Sequence, residues 1–146
     1  MKDKQKEAEK YFSSGYNCSQ SVLSVFSKEL GIDKNMATKL ATGFGGGMKK
    51  GEVCGAVTGA LMVIGLKYGT SENANEEAKQ NASVKVLAFQ EEFVKQNGSL
   101  LCKTLLGYNL SVEDELKIIE EKGLFRSICP DLVKCSVAIV EELDGE

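Results

Sequence analysis

Residues 17–30 read NCSQSVLSVFSKEL, and their pattern decides the fold class. Asn17 suits a helix N-cap, because its side-chain oxygen can accept from a backbone N–H of the first turn. Val22, Phe26 and Leu30 then recur at four-residue spacing, which lines one face of an α-helix. Gly31 closes that helix, and Cys18 lies directly after its cap.

The same reading extends in both directions. Residues 4–12 are rich in Glu, Lys and Ala and predict a helix stopped by Ser13, Ser14 and Gly15. Asp33 caps the next helix, which runs through Met36, Leu40 and Ala41 to Phe44. Residues 43–51, GFGGGMKKG, break any helix. A short apolar helix starts near Cys54 and ends near Gly69. Ser71 and Glu72 open a long one ending near Gly98, with Val84, Val86, Leu87, Phe89, Phe93 and Val94 facing inward. Ser99 caps a short helix carrying Cys102, Leu105 and Leu106. Ser111, with Asp114 and Glu115, approximates a capping box ahead of Leu116, Ile118 and Ile119. The last helix starts at Pro130 and carries Leu132, Val133, Val137, Ile139, Val140 and Leu143. No segment alternates as a strand, and there is no internal repeat. The prediction is one all-α domain over residues 1–146: a compact antiparallel multi-helix bundle with a Gly-rich loop.

Composition narrows the function. The hydrophobic share of 42% is enough to build a core and argues against disorder. The formal charge of −3 lacks the basic footprint of a nucleic-acid binder. The two short basic clusters, residues 2–6 and 49–50, read as solvated faces. The opening MKDKQKEAEKYF has no apolar core of a signal peptide. The longest apolar run, residues 56–66, contains Thr58, Gly59 and Gly65 and falls short of the ~20 residues that span a bilayer. A cytoplasmic protein without membrane insertion is expected.

Five cysteines and no histidine set the chemistry. An odd count without an export signal argues against a disulfide framework. Without histidine there is no Ser-His-Asp triad, no Cys-His pair and no histidine-ligated haem. Four cysteines fall at predicted helix starts: Cys18, Cys54, Cys102 and Cys129, the last as the cap before Pro130. A helix N-terminus carries partial positive charge, which stabilises a thiolate and lowers its pKa. Such thiolates suit redox nucleophiles or metal ligands. A buried cysteine is as often a small hydrophobe, which is the reading for Cys135, set mid-helix near Leu132 and Ile139. There is no CxxC, so the thioredoxin and zinc-ribbon signatures are both missing.

The glycine run fits no phosphate-loop register. Close packing is the better reading: Gly55, Ala56, Gly59 and Ala60 make a small-residue face against which a helix can press. The loop and Cys54 would form a pocket wall. The same face would permit a homodimer.

Cys54-Gly-Ala-Val-Thr-Gly59 fits a CGAxxG motif, with Val53 before the cysteine. Gly15-Tyr-Asn-Cys18 and Gly45-Gly-Gly47-Met precede it, and Cys102 and Cys129 follow. Over residues 12–143 the chain resembles the C_GCAxxG_C_C family, which is described as redox-active. The resemblance implies four shared cysteines, here Cys18, Cys54, Cys102 and Cys129, and a transporter-linked context for the protein. It also implies a distant kinship with cytochromes that carry haem and a cysteine-bound iron centre. The haem half does not transfer to a chain without C-x-x-C-H or histidine; the iron half could.

Three functions compete. The four thiolates would hold an iron–sulfur cluster for electron transfer to an unidentified redox partner, with backbone N–H groups of Gly45, Gly46, Gly47 and Gly55 as cofactor-binding groups. Two of them would instead cycle between dithiol and disulfide. In the third, they would form a structural zinc site, although close ligand pairs are missing. A small-ligand or transporter-accessory role with inert cysteines is the remaining alternative. The cluster ranks slightly first, because four thiols exceed what a dithiol cycle needs.

Overall fold

The computed structural model describes residues 2–144. Met1, Gly145 and Glu146, included in the predicted domain, lie outside the described residues. The all-α prediction holds. Among the described residues nine α-helices run α1 (Lys2–Ser13), α2 (Cys18–Ser27), α3 (Lys34–Leu40), α4 (Gly55–Tyr68), α5 (Glu76–Asn97), α6 (Cys102–Leu106), α7 (Glu113–Lys122), α8 (Leu124–Ser127) and α9 (Cys129–Leu143). Among the described residues the only β-type pairing is an isolated antiparallel bridge, Val53 to Leu101.

Helices α2 and α4 form the centre, with α1 and α9 packed together beside them and α5 laid across α4 and α9. Phe26, Val57, Ile64, Phe89, Phe93, Ile119 and Val137 are among the side chains fully removed from water. Each such aliphatic or aromatic side chain contributes roughly 1.5–3 kcal/mol of hydrophobic stabilisation. All six apolar positions predicted for the last helix are buried. Among the described residues no helix is long and apolar enough to cross a membrane.

Several sequence expectations are corrected here. Helix α2 ends at Ser27 rather than Leu30, and the chain turns through Gly31 at φ +76. On α3 the inner positions are Ala37 and Ala41, so Met36 and Leu40 face outward at 62% and 60% exposure. Helix α5 is capped by Asn75, whose side chain accepts from the Ala78 N–H at 2.8 Å, and not by Ser71. Its inward face is reduced to Phe89 and Phe93, with Val86 half-buried; Val84, Leu87 and Val94 are exposed. The reason is length. Twenty-two residues extend about 33 Å, and the 14 residues of α4 extend about 21 Å, so α4 can back only part of α5. The capping box at Ser111 does not form. Glu115 instead accepts from the Asn109 N–H at 2.8 Å, and the Ser111 hydroxyl donates to Asn109. Helix α8 has no counterpart in the sequence prediction.

Residues 43–51 are more ordered than a helix-breaking loop. A 3₁₀ turn over Thr42–Phe44 leads into a left-handed turn, in which Gly46, Gly47, Met48 and Lys49 all have φ near +60. Two of those four are not glycine, and the left-handed conformation costs such residues about 1–2 kcal/mol each.

Candidate redox site

The site is assembled from helix starts. Asn17 forms a full capping box with Gln20: the Gln20 N–H donates to the Asn17 side chain, and the Asn17 N–H donates to the Gln20 side chain, both at 2.8 Å. This fixes Cys18 in the first turn of α2. The Asn17 side-chain amide also donates to the Thr42 carbonyl at 3.1 Å, tying the glycine segment to the same point. A Cβ on Gly45 would lie 2.5 Å from the Asn17 Cβ, so only glycine lets the loop approach this closely.

Cys54 is brought to Cys18 by the small-residue face of α4. A Cβ on Gly55 would stand 3.1 Å from the Cys18 Cβ, and one on Gly59 would stand 2.7 Å from the Ser19 carbonyl oxygen. The close helix approach expected at Gly55 and Gly59 is therefore present, and the partner is α2 of the same chain. Gly55 and Gly59 of the face that would permit a homodimer thus pack against α2 of the same chain.

Cys102 is joined to Cys54 through the backbone. The Cys54 N–H donates to the Leu100 carbonyl at 2.7 Å, and the Cys102 N–H donates to the Glu52 carbonyl at 2.6 Å. An ion pair from Lys103 to Glu52 at 3.3 Å spans the same junction. The expected Ser99 cap is displaced, since its hydroxyl accepts from the Leu101 N–H and not from the helix. Cys129 begins α9, with Ile128 rather than Cys129 as its cap, and Pro130 in the first turn.

All four cysteines are free, buried and in the wall of one cavity of about 300 Å³. Phe12, Leu105, Leu106, Leu110, Leu116, Phe125 and Leu132 make the rest of that wall mostly apolar; Asn17, Gly45, Gly46, Lys49 and Gly55 complete it. Three of the four expected cofactor-binding glycines thus border the cavity. Gly47 does not. It is buried against Glu52, where a Cβ would meet the backbone nitrogen at 2.4 Å, and it serves the turn. Cys135 is also outside. It is half-buried on α9, not part of the core as expected, and accepts from the Asn97 amide at 3.4 Å while donating to Gln96 at 3.3 Å.

The electrostatics depart from the sequence expectation at three of four thiols. Burial pushes Cys54 up to about 11, although the backbone N–H groups of Ala56 and Val57 at the start of α4 pull it down. Burial, then the neighbouring Cys54 and Cys129, pushes Cys102 up to about 12. Cys18 is raised because it donates a hydrogen bond to Cys129, and further by burial and the other thiols. Cys129 alone is lowered, by accepting that hydrogen bond, with burial opposing. Loss of water therefore outweighs the helix-end donors at Cys54 and dominates at Cys102, whereas the Cys18–Cys129 pair is split mainly by the contact between the two sulfurs. Four sulfurs in so apolar a space cannot all ionise without added positive charge. Among the described residues no set of three or more Cys, Asp or Glu side chains is arranged to hold a metal ion as the side chains stand.

An all-helical domain organised around a buried cluster of four free thiols defines the class. The chain belongs to the C_GCAxxG_C_C family, whose model, described as "Putative redox-active protein (C_GCAxxG_C_C)", matches residues 16–143. No curated protein and no solved structure matches the chain.

The bridge between Val53 and Leu101 is the part of the site that sequence reasoning missed. A two-residue pairing leaves no periodic pattern, so it carries no signal of its own.

Proposed function

We propose that Cys18, Cys54, Cys102 and Cys129 hold an iron–sulfur cluster and that the protein transfers single electrons. One observation carries this: four free, buried thiols from four separate elements converge on one largely apolar cavity. A dithiol cycle uses two sulfurs, and four is the ligand complement of a [2Fe–2S] or [4Fe–4S] cluster. The donor set is sulfur alone, which suits iron–sulfur chemistry. Bound iron would supply the positive charge that four clustered thiolates require. A cluster spreads its ligands over more than one iron, so it needs wider sulfur spacing than a single zinc ion does. Zinc is disfavoured because the close ligand pairs usual in zinc sites are missing from the sequence. Gly45, Gly46 and Gly55 border the cavity, and donation from their backbone N–H groups to cluster sulfurs would tune the potential.

The pairing of Cys18 with Cys129, which raises the one thiol and lowers the other, favours a second reading. In it, the Cys129 thiolate and the Cys18 thiol join in a disulfide, passing two electrons to an oxidised partner and releasing the one proton that Cys18 held. The burial of both sulfurs counts against it, because the nucleophile of such a cycle must be reachable.

The deciding measurement is iron, zinc and acid-labile sulfide, with a visible spectrum, on protein purified without oxygen. Iron and sulfide near one cluster per chain, lost in Cys54→Ser, support the cluster. A colourless, metal-free protein in which Cys18 and Cys129 oxidise reversibly to a disulfide replaces it with the dithiol cycle. Zinc alone removes both.

A further inference from the structure

Residues 34–51 contain four lysines and no acidic residue, in a chain whose formal charge is −3. The rest of the chain is correspondingly more acidic. Lys34 is engaged over the ring of Tyr11 at 4.3 Å. Lys39, Lys49 and Lys50 are exposed and ion-pair with none of the described residues. The same segment exposes Met36, Leu40 and Met48 at 62%, 60% and 42%. Met36 and Leu40 are four residues apart on α3 and share a face.

This surface lies at the cysteine cavity. The Gln20 side chain donates to the Thr38 carbonyl at 3.0 Å, and the Asn17 side chain donates to the Thr42 carbonyl. Together they pin the end of α3 to the start of α2, where Cys18 sits. Gly45, Gly46 and Lys49 are themselves cavity wall. Met48 and Lys49 keep left-handed backbone at φ +60 despite its cost, and such strain concentrates at functional surfaces.

We propose that the basic segment 34–51, which exposes Met36, Leu40 and Met48 together with Lys39, Lys49 and Lys50, docks an acidic electron-transfer protein beside the cysteine cavity. The proposal rests on the cluster reading: one electron passes from the reduced partner to the centre held by the four cysteines, and no bond forms or breaks. Exposed methionine together with charged residues is interface composition, and a local field opposite to the chain's net charge steers an acidic partner. A lipid surface fits less well, because α3 has only seven residues and buries too little apolar area for an interfacial helix.

The test uses an acidic [2Fe–2S] ferredoxin carrying a fluorescent label, titrated with the anaerobically purified protein and followed by anisotropy. Binding should weaken about tenfold or more between low and physiological ionic strength. K39E/K50E should lose about tenfold in affinity, whereas K6E/K10E, with the same charge change on α1, should retain it. Circular dichroism checks that both variants are folded. Unchanged binding in K39E/K50E, equal loss in K6E/K10E, or binding to phosphatidylglycerol vesicles in place of ferredoxin overturns the docking face. Reduction by dithionite is read separately. Electron uptake without ferredoxin binding sinks the docking alone, whereas lysine-dependent binding without any electron uptake upholds the docking face and sinks the cluster.

Discussion

Gly59 and Ser19 meet backbone to backbone: a Cβ on Gly59 would stand 3.0 Å from the Ser19 Cα and closer still to its carbonyl oxygen. Neither atom is the end of a flexible side chain, so a methyl group there must push α2 off α4. Gly59→Ala is expected to lower stability by about 1–3 kcal/mol, read from urea midpoints. Gly65 lies on the same helix with nothing within 4 Å of an added Cβ. Gly65→Ala should instead stabilise by about 0.4–1 kcal/mol, since it only restricts the unfolded chain. If the two variants behave alike, close packing is not what Gly59 supplies.

Asn17 joins the cap of α2 to the glycine segment. Asn17→Ala should cost about 1–2 kcal/mol and quicken alkylation of Cys18, followed by mass spectrometry of the labelled peptides. Asn17→Asp keeps the acceptor of the cap and should recover most of the stability.

Thiol titration in metal-free protein should be uneven. Cys129 should be alkylated at the lowest pH of the four cavity thiols, and Cys54 and Cys102 should react only towards pH 11 and 12. The effect on stability follows from the same values. Cys54 and Cys102 hold their protons in the folded protein above the ordinary thiol value of 9.0. Their contribution is complete below pH 9 and is lost as pH rises through about 11 and 12, because the unfolded chain releases those protons first. The urea midpoint of the metal-free protein should therefore fall above pH 9. A midpoint that stays flat there would contradict the buried-thiol geometry.

Asp144 ties the end of α9 to α4, accepting from Lys67 and from the Tyr68 hydroxyl. Partial burial pushes its carboxyl up, and the Lys67 and Tyr68 hydrogen bonds pull it below its ordinary value of 3.8. Its contribution is present above that value and is lost as pH falls through the lower folded one. The group is mostly exposed, so Asp144→Asn should cost no more than about 1 kcal/mol at neutral pH. The difference from wild type should vanish in acid unfolding.

Cys135 lies apart from the cavity, on the side of α9 that meets Asn97 and Gln96. Cys135→Ser should leave metal and sulfide content unchanged. Loss of either would mean that the site extends beyond the four cavity thiols.

Caps and apolar spacing were enough to foresee α2, α4 and α9, because Asn17, Cys54 and Pro130 mark their starts and the buried faces recur at helical intervals. Convergence of the four cysteines was foreseeable from their shared position at helix starts and from the glycine face at residues 55 and 59. Which apolar side chains of α3 and α5 face inward was not. Met36, Leu40, Val84 and Leu87 have helical spacing like any core residue, and only the reach of neighbouring helices leaves them in water. The acidity of the thiols was also misjudged, since a sequence shows which cysteine begins a helix but not how much water surrounds it.

The backbone bridge between Val53 and Leu101 carries a consequence for how the protein matures. It seats Cys54 and Cys102 together although roughly 50 residues, including all of α4 and α5, separate them. Closing a loop of that length costs on the order of 3 kcal/mol of chain entropy, repaid only once the intervening helices have packed. A nascent chain that ends before Leu101 therefore has half of its sulfurs in place and no means to complete the set. Under the cluster reading, incorporation would wait for completion of the fold and would not follow from any local run of sequence.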